Sequence, residues 1–176
     1  FGQSADMEDI LSLAQEYNLY VIEDNAQAVG AKYTFTNGET KKTGTMGHIG
    51  TTSFFPSKNL GCYGDGGAIF TNDEELASKI KMIANHGQEK RYYHKVTGCN
   101  SRLDSLQAAI LNVKLKYLDE YNQNRLKMAN KYDEAFRDLE QITIPNRSTN
   151  STHVFHQYTL KSESIKIESQ LLLFEI

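Results

Sequence analysis

Apolar positions recur at three- and four-residue spacing over residues 5–17, at Met7, Ile10, Leu11, Leu13, Ala14 and Tyr17. This predicts an amphipathic helix with Ser4 as its cap. Leu19-Tyr20-Val21-Ile22 follows at once, a nearly continuous apolar run rich in β-formers, and reads as a strand buried on both faces of a parallel sheet. A helix leading straight into such a strand is half of a βαβ unit, which points to the α/β class. Residues 32–50 are more polar and contain glycines. They read as an excursion away from the sheet, with a hairpin around Asn37-Gly38. Residues 51–55 and 68–71 return as strands, with the glycine-rich residues 58–67 looping between them.

Residues 73–85 predict a second amphipathic helix, capped by Asn72 or Asp73, with Leu76, Ile80 and Ile83 as its buried stripe. Residues 103–139 contain neither proline nor glycine and keep helical apolar spacing from Leu106 to Phe136, so they form one very long helix or two in near succession. Residues 142–145 and 153–160 read as strands on either side of a polar turn region. The remaining residues, 161–176, are weakly patterned.

Composition narrows the picture. With 176 residues, 39% of them hydrophobic, the chain suffices for one globular domain with a sizeable core. A formal net charge of -3 gives no overall electrostatic reason to hold nucleic acid or an anionic membrane. No apolar run approaches the roughly 20 residues that span a bilayer, and the first residues lack a signal-peptide layout; the expected location is cytoplasmic. Cys62 and Cys99 have no CxxC spacing and read as free thiols. The five histidines lack metal-ligand spacing, so no metal site is proposed.

The chemistry-bearing residues gather at strand ends. Glu23-Asp24-Asn25-Ala26-Gln27 places acids and amides at the carboxyl end of an apolar strand, where open α/β sheets bind ligands. Ser53-Phe54-Phe55-Pro56-Ser57-Lys58 delivers a hydroxyl and then a lysine from a second strand into a loop containing Gly61, Gly64, Gly66 and Gly67. Lys58 precedes those glycines, whereas a P-loop needs its lysine after them, which removes the nucleotide-hydrolase reading. The lysine is then either a phosphate-binding charge or an amine nucleophile. An acid, an amide, a hydroxyl and a lysine converging on one strand edge suit a cationic heterocycle carrying a phosphate and an aldehyde, as in pyridoxal phosphate. The plainer readings are a turn or cap role for Asp24, a solvated surface charge for Lys58, simple packing for Ser53, and a helix cap for Asn100.

Residues 23–31, residues 53–73 and residues 98–109 resemble, in order, successive signatures of the DegT/DnrJ/EryC1/StrS sugar aminotransferases. The resemblance covers residues 1–160 and implies part of the large domain of a fold-type-I, pyridoxal 5'-phosphate-dependent transferase. Such a domain has a mixed, mostly parallel sheet flanked by helices. Residues 1–138 would then be a partial cofactor-binding large domain, and residues 139–176 the start of a smaller C-terminal domain, in a chain that is part of a longer one.

Carried over position by position, the resemblance implies that Lys58 forms the Schiff base and shuttles a proton, which requires an amine that is uncharged part of the time. Asp24 matches the partner of the pyridine nitrogen, Gln27 the amide against the ring, and Ser53 a phosphate-binding hydroxyl. Asn100 matches a phosphate ligand delivered from the neighbouring subunit of a homodimer, and Arg102 is a candidate for holding a substrate anion. The implied reaction moves an amino group, with glutamate as donor, to a keto-sugar linked to UDP or dTDP. Two alternatives stand beside it. One is a sugar dehydratase relative, which resembles the family with histidine in place of Lys58; the other is a catalytically inactive structural fragment of the same fold.

Overall fold

The structure is a computed structural model and describes residues 1–162; the expectations for residues 163–176 lie outside the described residues. Helix α1 spans Met7–Glu16. Its N-cap is Asp6 and not Ser4: the Ser4 backbone N–H donates to Ser151 Oγ (2.9 Å), and the Asp6 carboxylate accepts from the buried Tyr33 hydroxyl (2.5 Å). Tertiary partners take the groups that sequence position alone would give to a cap.

Strand β1 (Ile22–Asp24) lies beside β4 (Ile49–Ser53) in parallel register, with Asp24 opposite Thr51. β5 (Gly67–Phe70) pairs with β4 antiparallel, so the sheet is mixed in the order β1-β4-β5. Between β1 and β4 the chain leaves this sheet for the hairpin of β2 (Lys32–Thr34) and β3 (Thr40–Lys42), turning at Asn37-Gly38 as the sequence predicts. Gly38 takes a φ of +85°, which glycine reaches without strain.

Alternation along the sheet separates two faces. Val21, Glu23, Asn25 and Thr52 point inward and are buried, whereas Ile22, Asp24, Thr51, Ser53 and Ile69 alternate with them on the other face. Ile22 and Ile69 on that second face remain 65% and 52% exposed. The strand is therefore not buried on both sides as its apolar run suggests: the described residues build a layer against one face only. That layer consists of Met7, Ala14, Val21 and Tyr33 with Leu11, Phe35 and Met46, beside a second cluster of Leu60, Cys62, Leu111 and Leu118.

Asp73 caps α2 (Glu74–Ile83), its carboxylate accepting from the N–H groups of Glu75 and Leu76. The expected stripe on α2 is not buried: Leu76 and Ile80 are half-covered and Ile83 is exposed. A short antiparallel pair, β6 (Gln88–Lys90) and β7 (Tyr93–His94), follows. The glycine-free segment forms two helices in near succession, α3 (Ser105–Lys114) and α4 (Leu118–Phe136), joined by the 3-10 turn Leu115–Tyr117. Asp104, not Asn100, occupies the N-cap of α3.

Neither predicted C-terminal strand forms. Residues 142–145 make only the isolated bridge Thr143–Lys161, and residues 153–160 make none, with bridges only at the flanking Ser151 and Lys161. Residues 146–158 instead run over the large core. Val154 N–H donates to Gly2 O (2.7 Å), Arg147 pairs with Asp133 (2.5 Å), and the Tyr158 hydroxyl donates to Asp133 (2.8 Å). Strand propensity needs a free strand edge to become a strand, and these residues meet helix α4 and the N-terminal segment.

Candidate active site

Asp24 ends β1 and Ser53 ends β4 on one face of the sheet, and Lys58 follows in the turn after β4. Asp24 ends β1 on the open face, and its Oδ1 accepts the Ala26 N–H (3.0 Å), a local turn that fixes the carboxylate as the chain leaves the strand. Gln27 lies half-buried in the same turn. Ser53 ends β4 on the same face, its Oγ accepting the Phe55 N–H (3.2 Å). The Lys58 N–H closes a turn onto Phe55 O (2.9 Å), and no ion pair forms between Lys58 and Asp24.

The loop after Lys58 is held closely. Phe54 bonds through its N–H to Gly66 O (2.7 Å) and through its carbonyl to Cys62 N–H (2.8 Å). Lys114 Nζ donates to Gly61 O (2.6 Å), and Gln107 accepts the Tyr63 N–H (2.8 Å), tying the loop to α3. A Cβ at Gly61 would stand 2.4 Å from Pro56 O, and one at Gly67 would stand 2.7 Å from Thr52 O. These two glycines let the backbone fold onto itself and onto β4. Cys62 is buried and Cys99 exposed, both as free thiols.

Glu23, beside Asp24, is turned the other way. Its buried carboxylate accepts the N–H groups of Gly44 (2.7 Å), Met46 (2.5 Å) and Gly47 (2.6 Å), pinning residues 44–47 beneath β1. Asn100 and Arg102 pair with each other, Arg102 Nε donating to Asn100 Oδ1 (2.9 Å), on the loop bridged through Asn85–Asn100. No hydrogen bond or ion pair joins that pair to Asp24, Ser53 or Lys58.

Sequence reasoning missed Asn59, Asn122 and His156. Asn59 is buried immediately after Lys58, and its Nδ2 donates to Asn122 Oδ1 (2.7 Å) and Val154 O (3.0 Å). Its Oδ1 meets His156 Nδ1 at 3.3 Å, and Asn122 Nδ2 donates in turn to Val29 O (3.1 Å). Burial, then the charges of Lys58 and Arg125, push the His156 imidazole down to about 4. The one available signal was composition: an amide following the lysine inside an otherwise apolar and glycine-rich turn.

A sequence profile of the DegT/DnrJ/EryC1/StrS aminotransferase family matches residues 1–174. The chain belongs to this family. A "Pleiotropic regulatory protein" of Geobacillus stearothermophilus is 51% identical over 166 residues, which cover 92% of this chain and 43% of that protein. The "UDP-2-acetamido-2-deoxy-3-oxo-D-glucuronate aminotransferase" of Pseudomonas aeruginosa is 47% identical over 164 residues, covering 93% of this chain and 44% of the relative. Among solved structures, NtdA of Bacillus subtilis with bound cofactor PMP superposes with a TM-score of 0.77 at 35% identity, over 92% of this chain and 36% of that one. The chain thus spans less than half the length of these relatives, and the fold is that of pyridoxal-phosphate-dependent aminotransferases.

Proposed function

We propose that the protein containing this chain is a pyridoxal-phosphate-dependent aminotransferase that moves an amino group from an amino acid, glutamate, to a nucleotide-linked keto-sugar. The observation that carries this reading is that Asp24 and Ser53 close two neighbouring strands on one face, with Lys58 in the turn that follows, within a family whose relatives include a UDP-sugar aminotransferase. The donor set fits the cofactor: an exposed carboxylate, a hydroxyl on the same face and an amine on the adjoining turn.

Pyridoxal phosphate supplies an electron-accepting heterocycle and an aldehyde that bonds amines. Asp24 would pair with the ring nitrogen and keep it protonated, Gln27 would lie against the ring, and Ser53 would donate to the phosphate. Lys58 would hold the aldehyde and, once displaced by the amino donor, carry a proton at Nζ. In this reading Asn100 and Arg102, which make no hydrogen bond or ion pair to Asp24, Ser53 or Lys58, act in the neighbouring subunit of a homodimer, Asn100 on the phosphate and Arg102 on a substrate anion. Residues 139–176 begin a smaller domain, and the product feeds polysaccharide or glycoconjugate synthesis in the cytoplasm. No helix among the described residues is long and apolar enough to cross a membrane.

Lys58 stands where the dehydratase alternative needs a histidine, and the reading favours amino transfer accordingly. The regulatory name of the 51%-identical relative keeps one other reading in view, a subunit without catalysis. Cofactor absorbance separates them. The complete polypeptide loaded with pyridoxal phosphate is expected to show a visible band that bleaches on adding glutamate and is lost in Lys58→Ala. A colourless protein, or a band indifferent to glutamate, contradicts the proposal.

A further inference from the structure

The Asn59, Asn122 and His156 side chains join three separate parts of the fold beside Lys58, and their hydrogen-bond directions are fixed by chemistry. A carbonyl oxygen only accepts, so Asn122 must present Nδ2 to Val29 O, which leaves its Oδ1 facing Asn59. Asn59 must likewise present Nδ2 to Val154 O, and the same nitrogen serves Asn122 Oδ1. Asn59 Oδ1 is then the atom facing His156 Nδ1, and that ring nitrogen must carry the proton.

We propose that Asn59 and His156 are positioning residues for Lys58: Asn59, clamped between α4 and Val154, fixes the turn that carries the lysine and holds the His156 imidazole in its Nδ1-protonated form beside it. The inference rests on the reading in which Lys58 is the reactive amine. Three features support it. Asn59 is buried, with both ends of its amide engaged, so the backbone next to Lys58 cannot drift without breaking three contacts. Asn122 is itself buried in α4, and Gly30, at a φ of +91°, leaves room for it: a Cβ there would meet Asn122 Nδ2 at 2.5 Å. Burial first, then the charges of Lys58 and Arg125, disfavours protonation of the imidazole, so His156 adds no charge of its own beside the Asn59 turn.

The test uses the complete, cofactor-free polypeptide. The rate of acetylation of Lys58 by acetic anhydride, taken relative to exposed Lys127 on α4, is measured across pH by peptide mass spectrometry. Asn59→Asp keeps the volume but removes both donated bonds, and His156→Phe removes the donor to Asn59. His156→Phe is expected to change the Lys58-to-Lys127 ratio by about fivefold, the worth of one neutral hydrogen bond, and Asn59→Asp, which loses two, by more. His156→Asn, which places an amide N–H where Nδ1–H stood, is expected to restore the wild-type ratio and pH profile. Protection of buried Cys62 from a thiol reagent reports an intact fold; if Asn59→Asp exposes it, the two His156 variants decide. An unchanged ratio in the folded variants, or a failure of His156→Asn to restore what His156→Phe changes, overturns the proposal. Acetylation needs no cofactor, so borohydride reduction of the loaded wild type judges the reading of Lys58 separately.

Discussion

Glu23 and Asp24 are adjacent acids with opposite surroundings, and the alternation of a strand is what separates them. Asp24 faces the open side of the sheet at its carboxyl edge, where a ligand can reach it; Glu23 faces inward and is consumed by three backbone N–H groups. At this scale His153 makes a second prediction. It is buried, accepts the Phe155 N–H at Nδ1 (3.0 Å) and stacks on the Phe155 ring with centroids 3.7 Å apart. Burial first, then Arg147, against the pull of Asp133, lowers its pKa to about 4 from 6.5. His156 is lowered to about 4 in the same way. Between these limits the unfolded chain binds more protons than the folded one, so stability is full above about pH 6.5 and declines as pH falls toward 4, by up to about 1.4 kcal/mol per pH unit for each histidine. Chemical denaturation at pH 7, 6, 5 and 4 checks this, with His153→Gln expected to flatten the slope. A slope that His153→Gln leaves untouched would show that other groups govern it.

At the scale of elements, the Glu23 carboxylate couples β1 to residues 44–47, and this coupling makes the next stretch of sheet possible. Gly50 in β4 packs so closely that a Cβ would stand 1.9 Å from Gly44 O. Replacing Glu23 with Gln keeps the shape, discards the charge and turns one acceptor into a donor facing N–H groups. The expected loss is about 2–3 kcal/mol of unfolding free energy, read from urea denaturation. A loss under about 0.5 kcal/mol, the usual range for an inconsequential substitution, contradicts the role given to this carboxylate.

The elements themselves were unevenly legible in the sequence. The hairpin at Asn37-Gly38, the Asp73 cap and the polar ends of β1 and β4 carry their cause within a few residues, and local pattern reveals them. The network of Asn59, Asn122 and His156 does not: its members are 63 and 97 positions apart from Asn59. The strand pattern of residues 153–160 misleads for the same reason, because its fate depends on meeting α4 and Gly2 instead of a sheet edge. Ser4 reads as a cap until Ser151, far along the chain, is brought to it.

For the molecule as a whole, the open face is the dominant feature. Ile22 and Ile69 stay exposed on the face that carries Asp24 and Ser53, an apolar surface beside the catalytic candidates. The chain spans less than half of the relatives it matches, and in the proposed enzyme the rest of the polypeptide covers this surface. The isolated 176-residue chain is therefore expected to enhance the fluorescence of an apolar dye such as ANS strongly, and the complete polypeptide weakly. Equal dye binding by the two would mean that the patch remains open in the whole protein.

The central claim concerns one atom, the Nζ of Lys58, as the amine that bonds the cofactor. Borohydride reduction of the loaded, complete polypeptide makes that bond permanent, and peptide mapping then locates the pyridoxyl group. The account predicts stoichiometric label on the peptide containing Lys58; label on another lysine, or none, would contradict it.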